Sequence, residues 1–222
     1  MHKSLAQNII ENETGQLFIK NDWFGKPLPK NIFLDEMSYP DTAYSFTTFF
    51  SEKQVGFTLG YASGNYGHGI FTTGKDGEIN IGKFVVLQST RIIANLSVTI
   101  KDHCMFSWGS VITDSWIDPE TFSPVLRRSM LEKTSRSINR HLEFIDPSPV
   151  VIEENVWVGF EAIILPGVHI GRGAIIGCKT IITKDVPEYA VVVGNPSRII
   201  KYLDPNDTPN AKEQALKQFM KY

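Results

Sequence analysis

Aliphatic residues recur at every sixth position in the last third of the chain. One column consists of Ile152, Val158, Ile164, Ile170, Ile176 and Ile182. A second column, offset by four positions, consists of Val156, Ala162, Val168, Ala174, Thr180 and Val186. Neither the helix period of 3.6 nor the strand period of two by itself produces a repeat of six residues, so the spacing indicates a repeat architecture. Six residues make a short strand and a corner, and three such units close one triangular coil.

An earlier stretch carries the pattern less regularly. Its larger column reads Ile81, Leu87, Ile93 and, after a shift of one residue, Ile100, Phe106 and Ile112. Cys104 and Ser110 occupy the smaller column. The two stretches together predict an all-β chain with about four parallel coils, namely one from residue 81, one from residue 100 and two from residue 152 to about 187. Ordinary strands of another β fold are the alternative, which six uninterrupted inward positions disfavour.

The segments around the repeat suggest a division of the chain. Residues 1–78 are predicted to form an N-terminal cap region over the apolar end of the coils, because such a stack needs its end covered. The segment 60–77, rich in Gly, Asn and Tyr, is predicted to be a loop within it. The aromatic residues expected to provide the cap are Phe46, Phe49, Phe50 and Phe57. The repeat domain is placed at 79–203.

Residues 115–149 interrupt the repeat as an inserted loop. A helix is predicted to start at Ser123-Pro124, with serine as N-cap and proline in the first turn. The segment 123–141 is strongly basic, with Arg127, Arg128, Lys133, Arg136 and Arg140 against Glu132 alone. Two interpretations remain open. The helix is either a solvated basic element or a contact for the phosphates of a nucleotide-linked or coenzyme A ligand, which arginine forks suit.

The last segment, 204–222, predicts a C-terminal helix. Thr208 and Pro209 start it. Leu216, Phe219 and Met220 form one apolar stripe, which is expected to pack against the coils or a partner subunit.

Composition excludes several classes of protein. The 222 residues are 42% hydrophobic and 21% charged, with a net charge of −2. This balance gives no reason to expect a nucleic-acid partner. No apolar run of about 18 residues exists to span a membrane, and the first residues lack the apolar core of a signal peptide, so a cytoplasmic protein is expected. Cys104 and Cys178 need no disulfide in this setting.

Several motifs of the repeat resemble those of the hexapeptide-repeat acyltransferases, which are left-handed parallel β-helix enzymes. The motifs are Val151-Ile-Glu-Glu-Asn-Val-Trp-Val-Gly159, Ile164-Leu-Pro-Gly-Val-His-Ile-Gly171, Gly173-Ala-Ile-Ile-Gly177, and a stretch from Ile182 to Ile200 that includes Val193-Gly-Asn-Pro. The resemblance covers 79–203 and points to the sugar-modifying branch. It implies a left-handed β-helix, a homotrimer with its site in a groove between subunits, and an inserted loop that reaches a neighbouring subunit. It also implies acyl transfer, usually of acetyl, from coenzyme A to a hydroxyl or amine.

The resemblance also assigns the coenzyme A contacts. The pantetheine arm of acetyl-CoA or another acyl-CoA is expected to run along the corners near Phe160, Cys178 and Thr183. The phosphates are expected to meet Lys184, Arg198 and Lys201, which are otherwise solvated charges on the outside of a prism. Trp157 resembles a family tryptophan at the subunit contact.

The chain departs from the family where a histidine usually acts as general base. That place falls near Ser115 to Asp118, and it holds no histidine. Three interpretations remain open. A carboxylate, Asp114 or Asp118, serves as base; His141 enters the groove from the end of the inserted loop; or the acceptor is an amine that needs little help. Asp114 is preferred because it ends a rigid coil, although a corner aspartate that binds its own backbone is an equal alternative.

A trimeric zinc enzyme of carbonic-anhydrase type is a rival within this fold. Its metal needs three converging imidazoles. His103, His141 and His169 are not spaced by one coil of about 18 residues, so no metal is expected.

The sequence therefore predicts an acyl-CoA-dependent O- or N-acyltransferase. The expected acceptor is a sugar or sugar nucleotide, with a role in bacterial surface-polysaccharide synthesis, and Trp116, Arg127 and Arg128 are candidate substrate contacts. The alternative is a catalytically silent trimeric β-helix that serves as a scaffold or binds a ligand, which the missing histidine favours. Binding of coenzyme A distinguishes the two.

Overall fold

The described residues fold into a left-handed parallel β-helix with six complete coils. The computed structural model describes residues 6, 8–116, 123–136, 146–206 and 208–219. A hairpin of β1 (Ile9–Glu11) and β2 (Leu17–Ile19) comes first. Coils 1 to 4 follow as β3 (Ile32–Leu34), β4 (Tyr39–Pro40) and β5 (Thr48–Phe49); β6 (Phe57–Leu59), β7 (Gly64–Tyr66) and β8 (Ile70–Thr73); β9 (Glu78–Ile81), β10 (Val86–Gln88) and β11 (Arg91–Ala94); and β12 (Ser97–Ile100), β13 (Met105–Phe106) and β14 (Val111–Thr113).

The inserted segment and the last coils complete the chain. The insertion contains β15 (Ser115–Trp116), α1 (Pro124–Arg136) and β16 (Asp146–Pro147). Coils 5 and 6 are β17 (Val150–Ile152), β18 (Trp157–Val158) and β19 (Ile163–Ile164), then β20 (His169–Ile170), β21 (Ile175–Ile176) and β22 (Ile181–Ile182). The chain continues with β23 (Ala190–Val193), β24 (Arg198–Tyr202) and α2 (Pro209–Phe219).

The strands stack into three sheets that form the faces of a triangular prism. Face A contains the first strand of each coil, face B the second and face C the third. On face B, β23 adds a parallel strand after coil 6, and β24 pairs antiparallel with β23. Within a coil the chain turns from face A to face B at edge AB, then to face C at edge BC, and leaves face C at edge CA.

The two predicted columns form the core of the prism. All six residues of the larger column in coils 5 and 6 are fully buried, and the smaller column beside it is buried as well. Burying each large aliphatic side chain stabilises the folded chain by about 1.5–3 kcal/mol relative to leaving that side chain exposed. In coil 3 the predicted register is wrong by one residue: Ile92, which pairs with Phe71 and Ile112, is fully buried, whereas Ile93 lies on the outer face.

The predicted number of coils and the boundary at residue 78 are also wrong. Coils 1 and 2 lie inside the region 1–78, and β6 of that region pairs with β9 along face A. The segment 60–77, predicted to be a loop, contains β7 and β8. Phe57 lies inside the prism, with its ring centroid 4.6 Å from that of Phe71 and 5.0 Å from that of Phe46. The part of the region that precedes the coils is the β1–β2 hairpin, where Ile9 and Ile19 join the core.

The insertion leaves and re-enters the stack at one place. β15 and β16 form an antiparallel ribbon, with Ser115 opposite Pro147. β12 of coil 4 therefore pairs directly with β17 of coil 5. The helix start at Ser123 is confirmed, because its Oγ accepts a hydrogen bond from the Leu126 N–H at 3.2 Å.

The C-terminal helix α2 begins as predicted. The Thr208 Oγ1 accepts a hydrogen bond from the Ala211 N–H at 3.2 Å. Leu216 of the predicted apolar stripe is exposed, so it does not pack against the described coils. The side chain of Phe219 and all of Met220 lie outside the described structure. Neither helix in the described ranges has the length and apolar character needed to cross a membrane.

Glu153 has two cationic neighbours on the outside of the prism. Its carboxylate lies 2.7 Å from the Lys101 Nζ and 3.0 Å from the His169 Nε2. The hydrogen bond from Lys101, and after it that from His169, lowers the Glu153 pKa below its ordinary value of 4.5.

We expect Glu153→Gln to make the free energy of unfolding less dependent on pH in the acidic range. A carboxylate whose pKa is lowered by folding stabilises the protein above the unfolded-state pKa, and this contribution is lost as the pH falls through the folded-state pKa. Below about pH 4.5 the wild type should therefore lose more stability than the variant, as measured by urea unfolding along a pH series. Glu161→Gln, which changes an exposed ion pair with Lys179, is the matched control and should follow the wild type. Equal slopes for Glu153→Gln and the wild type would contradict the linkage.

Candidate functional site

Edge BC of coils 4 to 6 presents a continuous column of exposed side chains. The residues that turn this edge adopt positive φ values, 75° at Gly109, 53° at Glu161 and 56° at Lys179. The residues just before them are Trp108, Phe160 and Cys178, all exposed. Trp108 and Phe160 stack with ring centroids 5.4 Å apart and an angle of 12° between the rings. This column is the candidate site for an elongated ligand that runs parallel to the prism axis.

Face B extends the apolar surface next to this edge. Trp157 lies directly beside Met105 in the register of β13 and β18, and both side chains are exposed. The Trp157 Nε1 donates a hydrogen bond to the Ser107 Oγ at 3.4 Å, which orients the indole. Contiguous exposed apolar surface of this kind marks ligand grooves or protein contacts.

The backbone of edge BC offers donors to a ligand. The carbonyl of Trp108 accepts from the Glu161 N–H at 3.0 Å, and that of Phe160 accepts from the Lys179 N–H at 2.7 Å. Within the described part of the chain, the N–H groups of Phe160 and Cys178 have no backbone acceptor. These groups can therefore bind carbonyl oxygens of a ligand that lies along the column.

The two cysteines differ in reactivity because they differ in burial. Cys178 is exposed at edge BC, and Cys104 is buried in the smaller inward column. Burial raises the pKa of Cys104 to about 12, so its thiol stays protonated near neutral pH and is a poor nucleophile.

Asp114, the preferred general base, has a structural role instead. Its side chain is fully buried where the chain leaves coil 4 at edge CA. Oδ1 accepts the Asn95 N–H at 2.9 Å, and Oδ2 accepts the N–H groups of Leu96 at 2.7 Å and Ser97 at 2.8 Å. The Ser115 hydroxyl donates to Oδ1 as well. With four donors on a buried carboxylate, Asp114 cannot reach a substrate proton, so the assignment as base is corrected.

Ser115 begins the segment where the family histidine is expected. The sequence reasoning did not select it as a site residue. Its half-buried hydroxyl donates to Asp114 and accepts a hydrogen bond from the Asn95 Nδ2 at 2.9 Å. The Thr113 Oγ1 donates to the Ser115 carbonyl at 2.7 Å. The run Thr113-Asp114-Ser115 at the end of a coil was the available sequence signal, but the partner Asn95 comes from the preceding coil.

The other predicted residues fall into three groups. Trp116, which is half exposed, lies in the ribbon at the base of the insertion, and Arg127 and Arg128 are exposed on α1. At the C-terminal end of the prism, Thr183 and Lys184 are exposed after β22, and β24 presents Arg198 and Lys201 to solvent. Asp118 and His141 lie outside the described residues.

His103 and His169 each contact a different carboxylate. His103 lies at edge AB, 3.7 Å from a carboxylate oxygen of Glu154, and His169 contacts Glu153. Among the residues that the structure describes, no three His, Cys, Asp or Glu side chains are grouped as a metal site.

Comparison with known proteins agrees with this architecture. Residues 149–184 match the family model described as bacterial transferase hexapeptide (six repeats). Residues 149–184 of this chain therefore carry the hexapeptide repeat. A stretch of 51 residues of the chain is 53% identical to a chloramphenicol acetyltransferase of Klebsiella aerogenes, covering 23% of this chain and 24% of the relative. A chloramphenicol acetyltransferase of Agrobacterium fabrum is 47% identical over 58 residues, 26% of this chain and 28% of the relative. The matches therefore span roughly a quarter to a third of the length of such curated relatives.

Solved structures share the fold of this chain over a longer stretch. A hexapeptide-repeat acetyltransferase of Vibrio cholerae, complexed with acetyl-CoA, has a TM-score of 0.53 at 24% identity and covers 67% of this chain and 72% of its own. An N-acyltransferase of Bacillus cereus, in complex with dTDP and 3-hydroxybutyryl-CoA, has a TM-score of 0.57 at 15% identity and covers 86% and 89%. At such identities the likeness establishes the left-handed β-helix fold.

Proposed function

We propose that this hexapeptide-repeat protein is a cytosolic acyltransferase. It moves an acyl group, most simply acetyl, from coenzyme A to an amine or hydroxyl of a sugar or sugar nucleotide. The proposed context is bacterial surface-polysaccharide synthesis. The two curated relatives named above are acetyltransferases, and both structural neighbours above hold acyl-CoA. The dTDP in the Bacillus cereus enzyme supports a nucleotide-linked acceptor.

The observation that carries the proposal is the column at edge BC. Phe160 and Cys178 lie one coil apart, about 4.8 Å along the axis, and their N–H groups have no backbone acceptor within the described chain. The pantetheine arm is a chain of amides with carbonyl oxygens that suit such donors. The stacked rings of Trp108 and Phe160 and the neighbouring Trp157 supply apolar surface for its methylene groups. Thr183 lies at edge CA, across face C from this line, so its contact with the pantetheine arm stays a prediction. In the proposal Lys184, Arg198 and Lys201 pair with the phosphates of coenzyme A.

An amine acceptor suits the site best. A neutral amine attacks the thioester carbon, and backbone N–H groups stabilise the resulting oxyanion. The tetrahedral intermediate then breaks the C–S bond, the amine nitrogen loses one proton, and the thiolate gains one, which gives an amide and free coenzyme A. Since the thiolate leaves readily, positioning carries most of the catalysis. A hydroxyl acceptor needs a positioned general base, and in that case Asp118 or His141 is the proposed base.

The inserted segment and a second subunit complete the proposed site. We place the groove between two subunits of a homotrimer, because Trp157 and Met105 form exposed apolar surface next to edge BC. Trp116 at the base of the insertion contacts the acceptor in this proposal. Arg127 and Arg128 on α1 pair with its phosphates.

A catalytically silent β-helix that binds a ligand or partner is the second candidate. The occupied carboxylate of Asp114 favours it, because the described end of coil 4 then holds no side chain with a free basic group. Such a scaffold need not bind coenzyme A.

Calorimetric titration with acetyl-CoA tests the proposal. We expect micromolar binding, and we expect acetyl-CoA to slow alkylation of Cys178 by iodoacetamide because the ligand covers edge BC. Cys104 is an internal control, since its buried thiol should react only after unfolding. Mass spectrometry of peptides separates the two sites.

Two outcomes would contradict the proposal, the first its transferase activity and the second its cofactor site. Absence of binding at millimolar acetyl-CoA would favour the silent β-helix. Binding without protection of Cys178 would move the cofactor away from edge BC. Where acetyl-CoA binds, thiol release with amino- and hydroxy-sugar nucleotides identifies the acceptor.

A further inference from the structure

An exposed aromatic cluster lies on edge BC at the opposite end of the prism. It consists of Trp23, Tyr44 and His68, and we refer to it as the aromatic platform. The ring centroid of Trp23 is 5.5 Å from that of Tyr44 and 6.2 Å from that of His68. Trp23 is 67% exposed, which is unusual for the largest aromatic side chain, so the described monomer leaves a ring-sized surface uncovered.

The platform is held rigidly from behind. The Asp22 carboxylate accepts hydrogen bonds from the Thr42 Oγ1 at 2.7 Å and from the Ala43 N–H at 2.8 Å, which ties the Trp23 segment to the short 3-10 helix Ala43–Phe46. Phe24 packs edge-to-face against Tyr44. Such anchoring reduces the entropy that a ligand must remove on binding.

His68 is fixed by a separate contact. Its Nδ1 lies 3.4 Å from the Asp41 Oδ2, which also accepts the N–H groups of Gly67 and His68. The ring is therefore oriented at almost a right angle to that of Trp23. The Trp23 and His68 rings therefore present an aromatic surface beside a polar one.

The platform shares its edge with the proposed coenzyme A column. His68 in coil 2 has a φ of 63°, and it occupies the same turning position as Gly109 and Glu161 in coils 4 and 5. With about 4.8 Å between coils, it lies about 10 Å from the height of Trp108 along the axis. A ligand on the platform therefore extends along the edge toward the acyl group from the end opposite to coenzyme A.

A cation lies between the two regions. Arg91 begins β11 in coil 3, on the outer side of face C next to edge BC, and it pairs in register with Ile70 and Val111. It is exposed, and it forms no ion pair with any residue in the described ranges. Its guanidinium suits phosphate oxygens.

We propose that the platform binds the base of a nucleotide-linked acceptor, with Arg91 on its diphosphate. The inference rests on the proposed function, because the acceptor site of that transferase gives the platform its ligand. Flat bases stack on aromatic side chains without strong sequence preference. The order along edge BC is then base at coils 1 and 2, diphosphate at coil 3, sugar at coil 4 and acyl group at coils 4 and 5.

Titration of the full chain with dTDP, UDP and inorganic pyrophosphate tests the platform. Trp23→Ala should weaken binding of dTDP or UDP by about tenfold or more while leaving pyrophosphate unchanged. Trp23→Phe should retain most of the affinity because it keeps an aromatic face. Arg91→Gln should weaken the nucleotides and pyrophosphate alike. Tyr61→Ala, which removes an exposed aromatic ring from edge AB, is the matched control and should bind as the wild type does.

Acetyl-CoA affinity, measured on the same variants, separates this proposal from the function on which it rests. Unchanged acetyl-CoA binding with lost nucleotide binding in Trp23→Ala supports both. Nucleotide binding through Trp23 in a protein that does not bind acetyl-CoA keeps the platform and rejects the transferase. A wild type that binds acetyl-CoA but no nucleotide, or a Trp23→Ala variant with wild-type nucleotide affinity, overturns the platform. A change of oligomeric state in Trp23→Ala, seen by sedimentation, also overturns it and makes Trp23 a contact between subunits.

Discussion

Asp114→Ala is expected to lower the free energy of unfolding by about 3 kcal/mol or more. The substitution removes the acceptor of three backbone N–H groups, those of Asn95, Leu96 and Ser97. Each buried donor left without a partner costs about 1–3 kcal/mol. The free energy of unfolding of Asp114→Asn should lie between those of the wild type and Asp114→Ala. The amide keeps one acceptor oxygen, but it turns an NH2 group toward backbone donors. Urea unfolding measures both variants.

Asp76→Ala is the control for Asp114. Asp76 lies at edge CA between coils 2 and 3, and its side chain is exposed beside Lys75, so its loss should change stability little. Turnover must be compared below the unfolding transition of each variant. Wild-type stability of Asp114→Ala combined with lost turnover would restore Asp114 as the general base.

Phe57→Ala is expected to lower the free energy of unfolding by about 3–5 kcal/mol. We expect the variant to unfold in a single cooperative transition. The Phe57 ring is fully buried, and it contacts the rings of Phe46 and Phe71 within coils 1 and 2. Coils of a solenoid are stabilised by their neighbours, so a cavity in coil 2 weakens the stack that continues through β9. Thermal unfolding followed by circular dichroism and by tryptophan fluorescence tests this.

Phe50→Ala provides the comparison for Phe57. Phe50 follows β5 and is about half exposed, so the same change in side-chain volume leaves no internal cavity. Two separate transitions, with only the earlier one shifted in Phe57→Ala, would show that residues 1–78 fold as a cap apart from coils 3 to 6.

The accuracy of the sequence prediction varied with the composition of the inward column. Coils 5 and 6 were predicted in full because every inward position of the larger column is aliphatic. Coil 2 also has a spacing of six, through Leu59, Asn65 and Phe71, but a polar residue interrupts it. Asn65 is fully buried and its Nδ2 donates to the Ser45 Oγ, a partner from coil 1 that no local pattern predicts. In coil 1 the 3-10 helix at edge BC lengthens the turn and hides the spacing.

The site was predictable only where a local motif defined it. The segments around Phe160 and Cys178 resemble the family closely, and the structure places them one coil apart on edge BC. Their contacts with coenzyme A stay predictions. The aromatic platform escaped the sequence reasoning because Trp23, Tyr44 and His68 belong to three separate segments that only the stacking of coils 1 and 2 brings together.

The sequence by itself determined the parallel coils of the repeat, since aliphatic columns spaced by six residues leave few other ways to bury them. The left-handed sense of the helix was implied by the resemblance of the motifs to a known family. The tertiary structure alone decided the number of coils and the role of Asp114. The three backbone donors to its carboxylate come from residues 95–97, 17 to 19 positions earlier in the chain. One turn of the prism separates them in sequence and brings them within hydrogen-bond distance in space, and a linear pattern does not contain that closure.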